Sequence, residues 1–501
     1  MSRLSYVLRA PLLAGLTVLV GCASENSERP NVLLLSLDSV RADRISATGY
    51  RPPLHPDVLT TPNIDRLARE GVLFENAFST TSWTLPSHMA MFTGLHDELH
   101  GVIDKDRTLD PGIVTLPELL EENGWTTGGF YSGPYLNPIF GFGQGFDHYV
   151  NCGTVIPPEV FDETELGRWR EIHQFSHETV TSPDLLEEAS AWIKSAVKRP
   201  EPFFAMVHWW DPHYDYKAPA EYLQMFDTQY TGEWTGLRNE DVRRMIEQAD
   251  IDFILSLYDA ELRYTDDYIG KLLELLEELG VADETLVIVT SDHGEEFYER
   301  SRWGHQRSLF DEVLRVPLVI RLPGSVPSGV RASGLARLQD IYPTIAELLG
   351  LESPSYLSGE SLRPLWEDAD HEGFRQPLHM LVPHRDINIS GFRTPSEKVL
   401  WDHTAGNGSY WNLERDPEEM RPRLFDANDL EEGKHPALAE LRDYLKTVES
   451  SREALPLTGG DGRIELDEGM LRELDATGYL GSDPDEEPLT PTEKNSDSPK
   501  D

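Results

Sequence analysis

Thr285-Leu286-Val287-Ile288-Val289-Thr290 runs directly into Ser291-Asp292-His293-Gly294. An aliphatic, β-branched run with no polar alternation suits a parallel strand buried on both faces. Two further segments read the same way. Asn31-Val-Leu-Leu-Leu-Ser-Leu37 stops at Asp38, and Phe203-Phe-Ala-Met-Val-His-Trp209 leads into Asp211-Pro212-His213. Val316-Pro-Leu-Val-Ile-Arg321 is another short strand.

Helical segments lie between these runs. Thr61-Pro62-Asn63 reads as a helix start, with Thr61 suited to cap free amides, Pro62 at the first helical position and Gly71 closing the helix. Ser182-Pro183-Asp184 opens a helix in the same way. Residues 254–279 repeat apolar groups with helical period and end at Gly280, and Leu338 to Leu349 does so before Gly350. Strands alternating with helices predict an α/β fold, a large and mostly parallel sheet sandwiched by helices. Ligands of such sheets bind beyond the carboxyl ends of the strands. Asp38, Asp211, His213, Asp292 and His293 all stand at such ends.

From about residue 375 the pattern changes to short strands and turns, with one helix near 436–447, which predicts a smaller C-terminal α+β domain. The organisation expected is a signal peptide at 1–22, a tether at 23–30, the large domain at 31–370, the smaller one at 371–481 and an acidic, disordered tail at 482–501.

Composition narrows the function. Of 501 residues, 88 are Asp or Glu and 44 are Lys or Arg, a net charge of −44. That balance excludes nucleic acid as a partner, because phosphate backbones demand clustered cations. Any anion site in so acidic a protein needs a local metal or local cations. The two cysteines, Cys22 and Cys152, make no disulfide framework. Arg3 and Arg9 precede an apolar run, Ala10 to Val20, of signal-peptide length. It ends in Leu19-Val20-Gly21-Cys22, which resembles the bacterial lipobox, so Cys22 is the expected lipidation site. Export and anchoring to a bacterial membrane follow, in the outer membrane or periplasm.

Asp38, Asp292 and His293 are metal-ligand types. Other histidines have plainer readings: His55, His96, His148, His173, His177 and His371 as surface or loop residues, and His100 as structural. His208, inside a buried run, is either a satisfied core histidine or a group behind the ligands. Trp209, Trp210 and Tyr214 either line a cleft or belong to the core.

Ser82-Trp83-Thr84-Leu85-Pro86-Ser87-His88, with Thr93-Gly94 following, resembles the signature of the sulfatase branch of the alkaline phosphatase superfamily. There a cysteine is followed by any residue, Pro, Ser and Arg, and later by Leu-Thr-Gly. The resemblance extends through Asn31 to Arg44, Thr61 to Gly71, Gly304-His305, Leu314 to Val319, Tyr410 to Leu413 with Asp416-Pro417-Glu418, and Leu471 to Leu480. It implies a sulfatase-like hydrolase with one divalent metal held by Asp38, Thr84, Asp292 and His293. Thr84 stands at the nucleophile position. His213 and His305 fall where the family holds the ester and assists the leaving group, and His88 falls at the position of its substrate-binding arginine.

This chain departs from the family pattern at several points. Thr84 replaces the cysteine that becomes formylglycine, His88 the arginine, and Ser39 the second aspartate. Gly129-Phe-Tyr-Ser-Gly-Pro134 lacks the usual Lys and His. A formylglycine hydrate has two hydroxyls and expels sulfate with the second, whereas Thr84 has one and must be cleared by water. That route is familiar for phosphoryl transfer. The expected reaction is therefore hydrolysis of sulfuric or phosphoric esters, with a small-molecule, glycan or lipid ester as substrate. The rival is an inactive homologue that binds sulfated or phosphorylated glycans or lipids at the cell surface. The family's ion is calcium, and the ligand types suit manganese, zinc or magnesium. A second metal on Asp211, His213 and His305 would resemble the two-zinc nucleotide pyrophosphatases.

Overall fold

The computed structural model describes residues 29–153, 180–235, 246–368 and, with short interruptions, 371–474. The expected signal peptide with Cys22, most of the tether, His173, His177 and the acidic tail lie outside the described residues.

The continuous apolar runs become the centre of the large sheet. Its main strands are β1 (Asn31–Leu37), β2 (Val72–Phe78), β3 (Thr126–Tyr131), β4 (His148–Asn151), β5 (Phe203–Trp209), β6 (Thr285–Ser291), β7 (Leu318–Arg321) and β8 (Val330–Arg337), in spatial order β8-β2-β7-β6-β1-β5-β3-β4, and the short segment Arg315–Val316 also pairs with β2. β1 pairs in parallel with both β5 and β6, as expected for double-faced burial. β7 is antiparallel to β6 and β2, so the sheet is mixed but mostly parallel.

Successive residues of the central strands enter different cores, because side chains alternate across a sheet. Val32, Leu34, Phe204, Met206, Leu286 and Ile288 face α2 (Thr84–Thr93) and α5 (Ile341–Leu348). Leu33, Leu35, Leu37, Val207, Val287 and Val289 face α1 (Pro62–Glu70), α3 (Ser182–Ala196) and α4 (Gln248–Glu278). Each buried aliphatic side chain contributes about 1.5–3 kcal/mol, so this packing outweighs the local preference of any one segment.

Two capping expectations need correction. Thr61 does not cap α1: its Oγ1 accepts from Ser46 N and donates to Asp65 Oδ1. The amides of Asn63 and Ile64 donate instead to Asp266, a side chain of α4. Gly71 follows α1 without the left-handed turn of a glycine cap. Glycine is required there by close approach, since a Cβ would lie 2.2 Å from the Ile320 carbonyl oxygen.

The C-terminal region forms an antiparallel sheet of β9 (Leu378–His384), β10 (Ile387–Arg393), β11 (Glu397–Asp402), β12 (Asn407–Asn412) and β13 (Arg423–Asp426), paired in sequence order. Phe392, Val399, Trp401 and Phe425 pack against Ala437, Leu438 and Leu441 of α6 (Pro436–Glu453). Phe78, Val313, Leu400 and Trp411 join this sheet to the larger one. A polar knot sits at the same junction. The Lys398 ammonium, fully buried, pairs with Asp311 Oδ1 at 3.0 Å and Glu419 Oε1 at 2.5 Å. Burial alone would raise Asp311, but Lys398 and Arg393 hold it below the usual carboxylate range. Removing one partner of such a group strands a buried charge. Lys398→Met is therefore expected to destabilise the fold by about 3–5 kcal/mol, read from the denaturant midpoint. A change below about 1 kcal/mol, the range of exposed pairs, would contradict this account.

Candidate active site

β1, β5 and β6 end side by side, with Leu37 in register with Trp209 on one neighbour and Ser291 on the other. The next residues of β1 and β6, Asp38 and Asp292, therefore emerge together. Their amides continue the ladder, Asp38 N to Trp209 O at 2.9 Å and Asp292 N to Leu37 O at 3.2 Å. Asp38 Oδ1 accepts from Ser39 Oγ at 2.7 Å. Ser39 is left-handed, with φ 59°, which costs a non-glycine residue about 1 kcal/mol. That turn aims its amide at Asp292 Oδ1, 3.1 Å away, and the His293 amide reaches the same oxygen at 2.8 Å.

Thr84 is the first residue of α2, so it sits at the positive end of the helix dipole. Its Oγ1 lies 3.3 Å from Asp38 Oδ2 and 3.4 Å from His293 Nε2. His293 Nδ1 donates to the Gly294 carbonyl at 2.8 Å, which leaves Nε2 facing the carboxylates, 3.8 Å from Asp38 Oδ1 and 3.7 Å from Asp292 Oδ2. All four residues are buried.

These separations suit donors around one ion, whose neighbouring ligands stand about 3–4 Å apart. Electrostatics point the same way. Burial lifts the Asp292 carboxyl well above its ordinary value, and the charge on Asp38 lifts it further. Burial opposes ionisation of Asp38 too, but the imidazoles of His213, His208 and His293 hold it well below the usual range. Asp292 Oδ2 is buried without a hydrogen-bond partner. An orphaned carboxylate oxygen of this kind is explained by a cation. Asp38, Asp292 and His293 thus fit a divalent metal.

Three imidazoles lie in a row beside this set. The His293 and His305 ring centroids are 4.4 Å apart, and those of His305 and His213 are 5.1 Å apart. His213 Nδ1 donates to the Tyr214 carbonyl at 2.7 Å, and burial pushes this imidazole well below its ordinary value. His305 Nδ1 lies 3.1 Å from Glu295 Oε1, a carboxylate that orients the ring. The sequence reading passed over Glu295, although two glutamates directly after Asp292-His293-Gly294 were a signal for it. Tyr214 stacks on His305 with centroids 5.3 Å apart, whereas Trp209 is wholly buried and belongs to the core.

His88 is fully buried on the inner side of Thr84. One nitrogen lies 2.9 Å from Ser36 Oγ and the other 3.0 Å from the Thr84 carbonyl. His208 is fully buried beside it. His100 is structural, with Nδ1 accepting from Val102 N at 3.1 Å. His96 lies in the loop before the short helix Asp97–His100, 8% exposed and packed on Tyr444 of α6.

A sequence profile of the Sulfatase family matches residues 30–351, which include every strand and helix that shapes the site. The chain belongs to the sulfatase family. Its members are hydrolases of ester bonds. The C-terminal profile of N-sulphoglucosamine sulphohydrolase matches residues 299–446. An ulvan-active sulfatase of Formosa agariphila is 26% identical over 447 residues, covering 84% of this chain and 83% of its own. An N-acetylglucosamine-6-O-sulfatase of Bacteroides thetaiotaomicron is 24% identical over 535 residues, covering 89% and 92%. In fold, the chain is similar to the phosphonate monoester hydrolase of Agrobacterium radiobacter, with a TM-score of 0.64 and 24% identity over 85% of this chain and 96% of that one.

Within this sulfatase-family fold Asp211 does not join His213 and His305 as a metal ligand. Its carboxylate accepts from Thr181 N at 2.6 Å, Thr181 Oγ1 at 2.7 Å and Ser182 N at 2.8 Å, and so caps α3. The ring formed by those bonds uses both oxygens. Asp211→Ala is expected to cost about 1–3 kcal/mol of stability by leaving buried donors unmet, with the metal content unchanged by mass spectrometry. A loss of metal in that variant would return Asp211 to the ligand set.

Proposed function

We propose that the chain is a metal-dependent hydrolase of sulfuric or phosphoric esters with Thr84 as its nucleophile. The observation that carries this reading is the placement of Thr84 Oγ1 within 3.4 Å of both Asp38 and His293, at the start of α2. Asp38, Thr84, Asp292 and His293 would hold the ion, and a divalent cation bound there supplies Lewis acidity toward the hydroxyl and an ester oxygen.

The chain's own groups account for the rest. Thr84 Oγ1 attacks the sulfur or phosphorus in line, forming the new O–S or O–P bond as the bond to the leaving oxygen breaks, and its proton passes to Asp38 Oδ2, 3.3 Å away, from which it returns to Oγ1 when the acid is released. The α2 N-terminus faces the anionic group and favours its charge. His305, oriented by Glu295, or His213 gives a proton to the leaving oxygen. The same imidazole then takes a proton from the water that releases the acid and restores Thr84. With one hydroxyl on Thr84, release needs attack by water at the central atom, which favours phosphoric esters. Relatives named for ulvan and N-acetylglucosamine-6-O-sulfate chemistry support a glycan ester as the substrate. Lipidation at Cys22 would hold the enzyme at a bacterial membrane.

The test is turnover by protein loaded separately with calcium, manganese and zinc. Paired aryl sulfate, phosphate monoester and phosphate diester substrates are offered, with Thr84→Ala and Asp292→Ala alongside. Turnover of one ester class, lost in both variants, is the expected result. Metal binding without turnover of any class would overturn the proposal in favour of a binding protein.

A further inference from the structure

A second group of ligand-type side chains lies beneath the first. His88, His208 and Asp292 are wholly buried, and one ligand atom from each lies within 4.8 Å of the other two. Ser36 and His208 are register partners on the sheet face that α2 covers, and His88 comes down from α2 onto them. His88 Nδ1 is 3.7 Å from Asp292 Oδ2. The His88 and His208 rings meet edge to face, with centroids 4.6 Å apart and planes at 81°.

A histidine kept in a core for structure uses its nitrogens in hydrogen bonds. His208 does not: Nδ1 and Nε2 both lack such a partner, and so does Asp292 Oδ2. His208 Nε2 faces Asp38 Oδ2 at 3.5 Å, an ion-pair distance at the far limit of hydrogen bonding. Burying polar atoms in this state is unfavourable, at a position where an aliphatic side chain would pack without penalty.

The geometry points to a second cation site under the first, with His88 Nδ1, His208 Nε2 and Asp292 Oδ2 as its protein ligands and Asp292 Oδ2 shared between two ions. This rests on the reading of Asp38, Thr84, Asp292 and His293 as a metal centre. Asp292 Oδ1 already accepts from the amides of Ser39 and His293, so Oδ2 is the oxygen open to both ions. His88 Nδ1 donates to the Thr84 carbonyl at 3.0 Å, and it becomes a ligand only by giving up that bond, its proton then residing on Nε2, from which Ser36 Oγ, 2.9 Å away, accepts. Partners of this kind fix the tautomer and orientation of ligating imidazoles. Two imidazoles and one carboxylate select a transition ion such as zinc over calcium. A shared carboxylate oxygen sets two such ions about 3.5–4 Å apart. The deeper ion would be held wholly by protein, behind Thr84, and would pin the shared carboxylate of the outer one.

The test counts ions in the full chain, stripped with a chelator, titrated with Zn²⁺ and freed of excess metal. Two equivalents per chain are expected in the native protein, and one each in His88→Leu and His208→Leu. With Mn²⁺ as the probe, the native protein is expected to show the electron-spin signal of a coupled pair. One equivalent and an isolated-ion signal would overturn the deeper site while leaving the outer centre standing. No bound metal would overturn both. Two equivalents persisting in both variants would place the second ion elsewhere and overturn the assignment. If either leucine variant fails to fold, the native count and the spin coupling decide by themselves.

Discussion

Thr84→Ala is expected to lower kcat on the preferred ester by about four orders of magnitude or more, the range seen when a covalent nucleophile is removed. The alanine protein should fold and keep its ion, because Asp38, Asp292 and His293 supply the anionic and imidazole donors. Its thermal midpoint should stay within a few degrees of the parent. Thr84→Ser keeps an Oγ at the start of α2 and should retain activity within about 100-fold, the cost of looser positioning. Single-turnover kinetics with a fast aryl leaving group check the assignment directly. A burst of released phenol, matched by phosphate or sulfate attached to the chain, is expected from the parent and absent from Thr84→Ala. An alanine variant retaining a tenth of the parent rate would mean that water, not Thr84, attacks the ester.

The second large effect is on stability. Asp38 and Asp292 are two carboxylates in one dry site, and Asp292 resists ionisation because of its burial and its neighbour's charge. A divalent ion relieves both penalties. At a metal concentration about 1,000 times the dissociation constant, binding adds about 4 kcal/mol. In a domain of this size that moves the thermal midpoint by about 5 °C. Chelation should therefore lower the melting temperature of the parent by that order. Asp292→Asn should lose the response to metal, because the amide keeps the shape but not the charge. Its chelated form is expected to melt no lower than the chelated parent, since one buried charge has gone. A chelated asparagine variant several degrees less stable than the chelated parent would show that Asp292 serves the fold through its hydrogen bonds rather than through an ion.

The strands were legible because their burial is local information. Seven consecutive residues at 31–37 and at 203–209 are long enough to bury both faces, and no helix-breaking or alternating pattern competes. The polar residue that ends such a run must lie at the sheet's carboxyl edge, so Asp38, Asp292 and His293 could be placed from the chain alone. Thr84 was visible only through its motif, since nothing local distinguishes it from a helix-capping threonine.

Side chains whose role depends on a distant partner were not legible. Asp211 reads as a ligand beside His213 until α3 arrives and takes its oxygens. His88 occupies a substrate-binding position in the motif. Its helical phase, four residues after Thr84, turns it inward onto Ser36, a partner 52 residues away in sequence. His208 looks like any core histidine until both its nitrogens are found without hydrogen bonds. Glu295 acquires a purpose only when His305 folds back over it. β7 runs against its neighbours because hydrophobicity specifies burial but not direction. Sequence by itself determined the layers and the donors at their edge, since both follow from periodicity and the ends of runs. Tertiary structure alone decided which donors face one another, because that depends on strand register and helix phase between segments far apart in the chain.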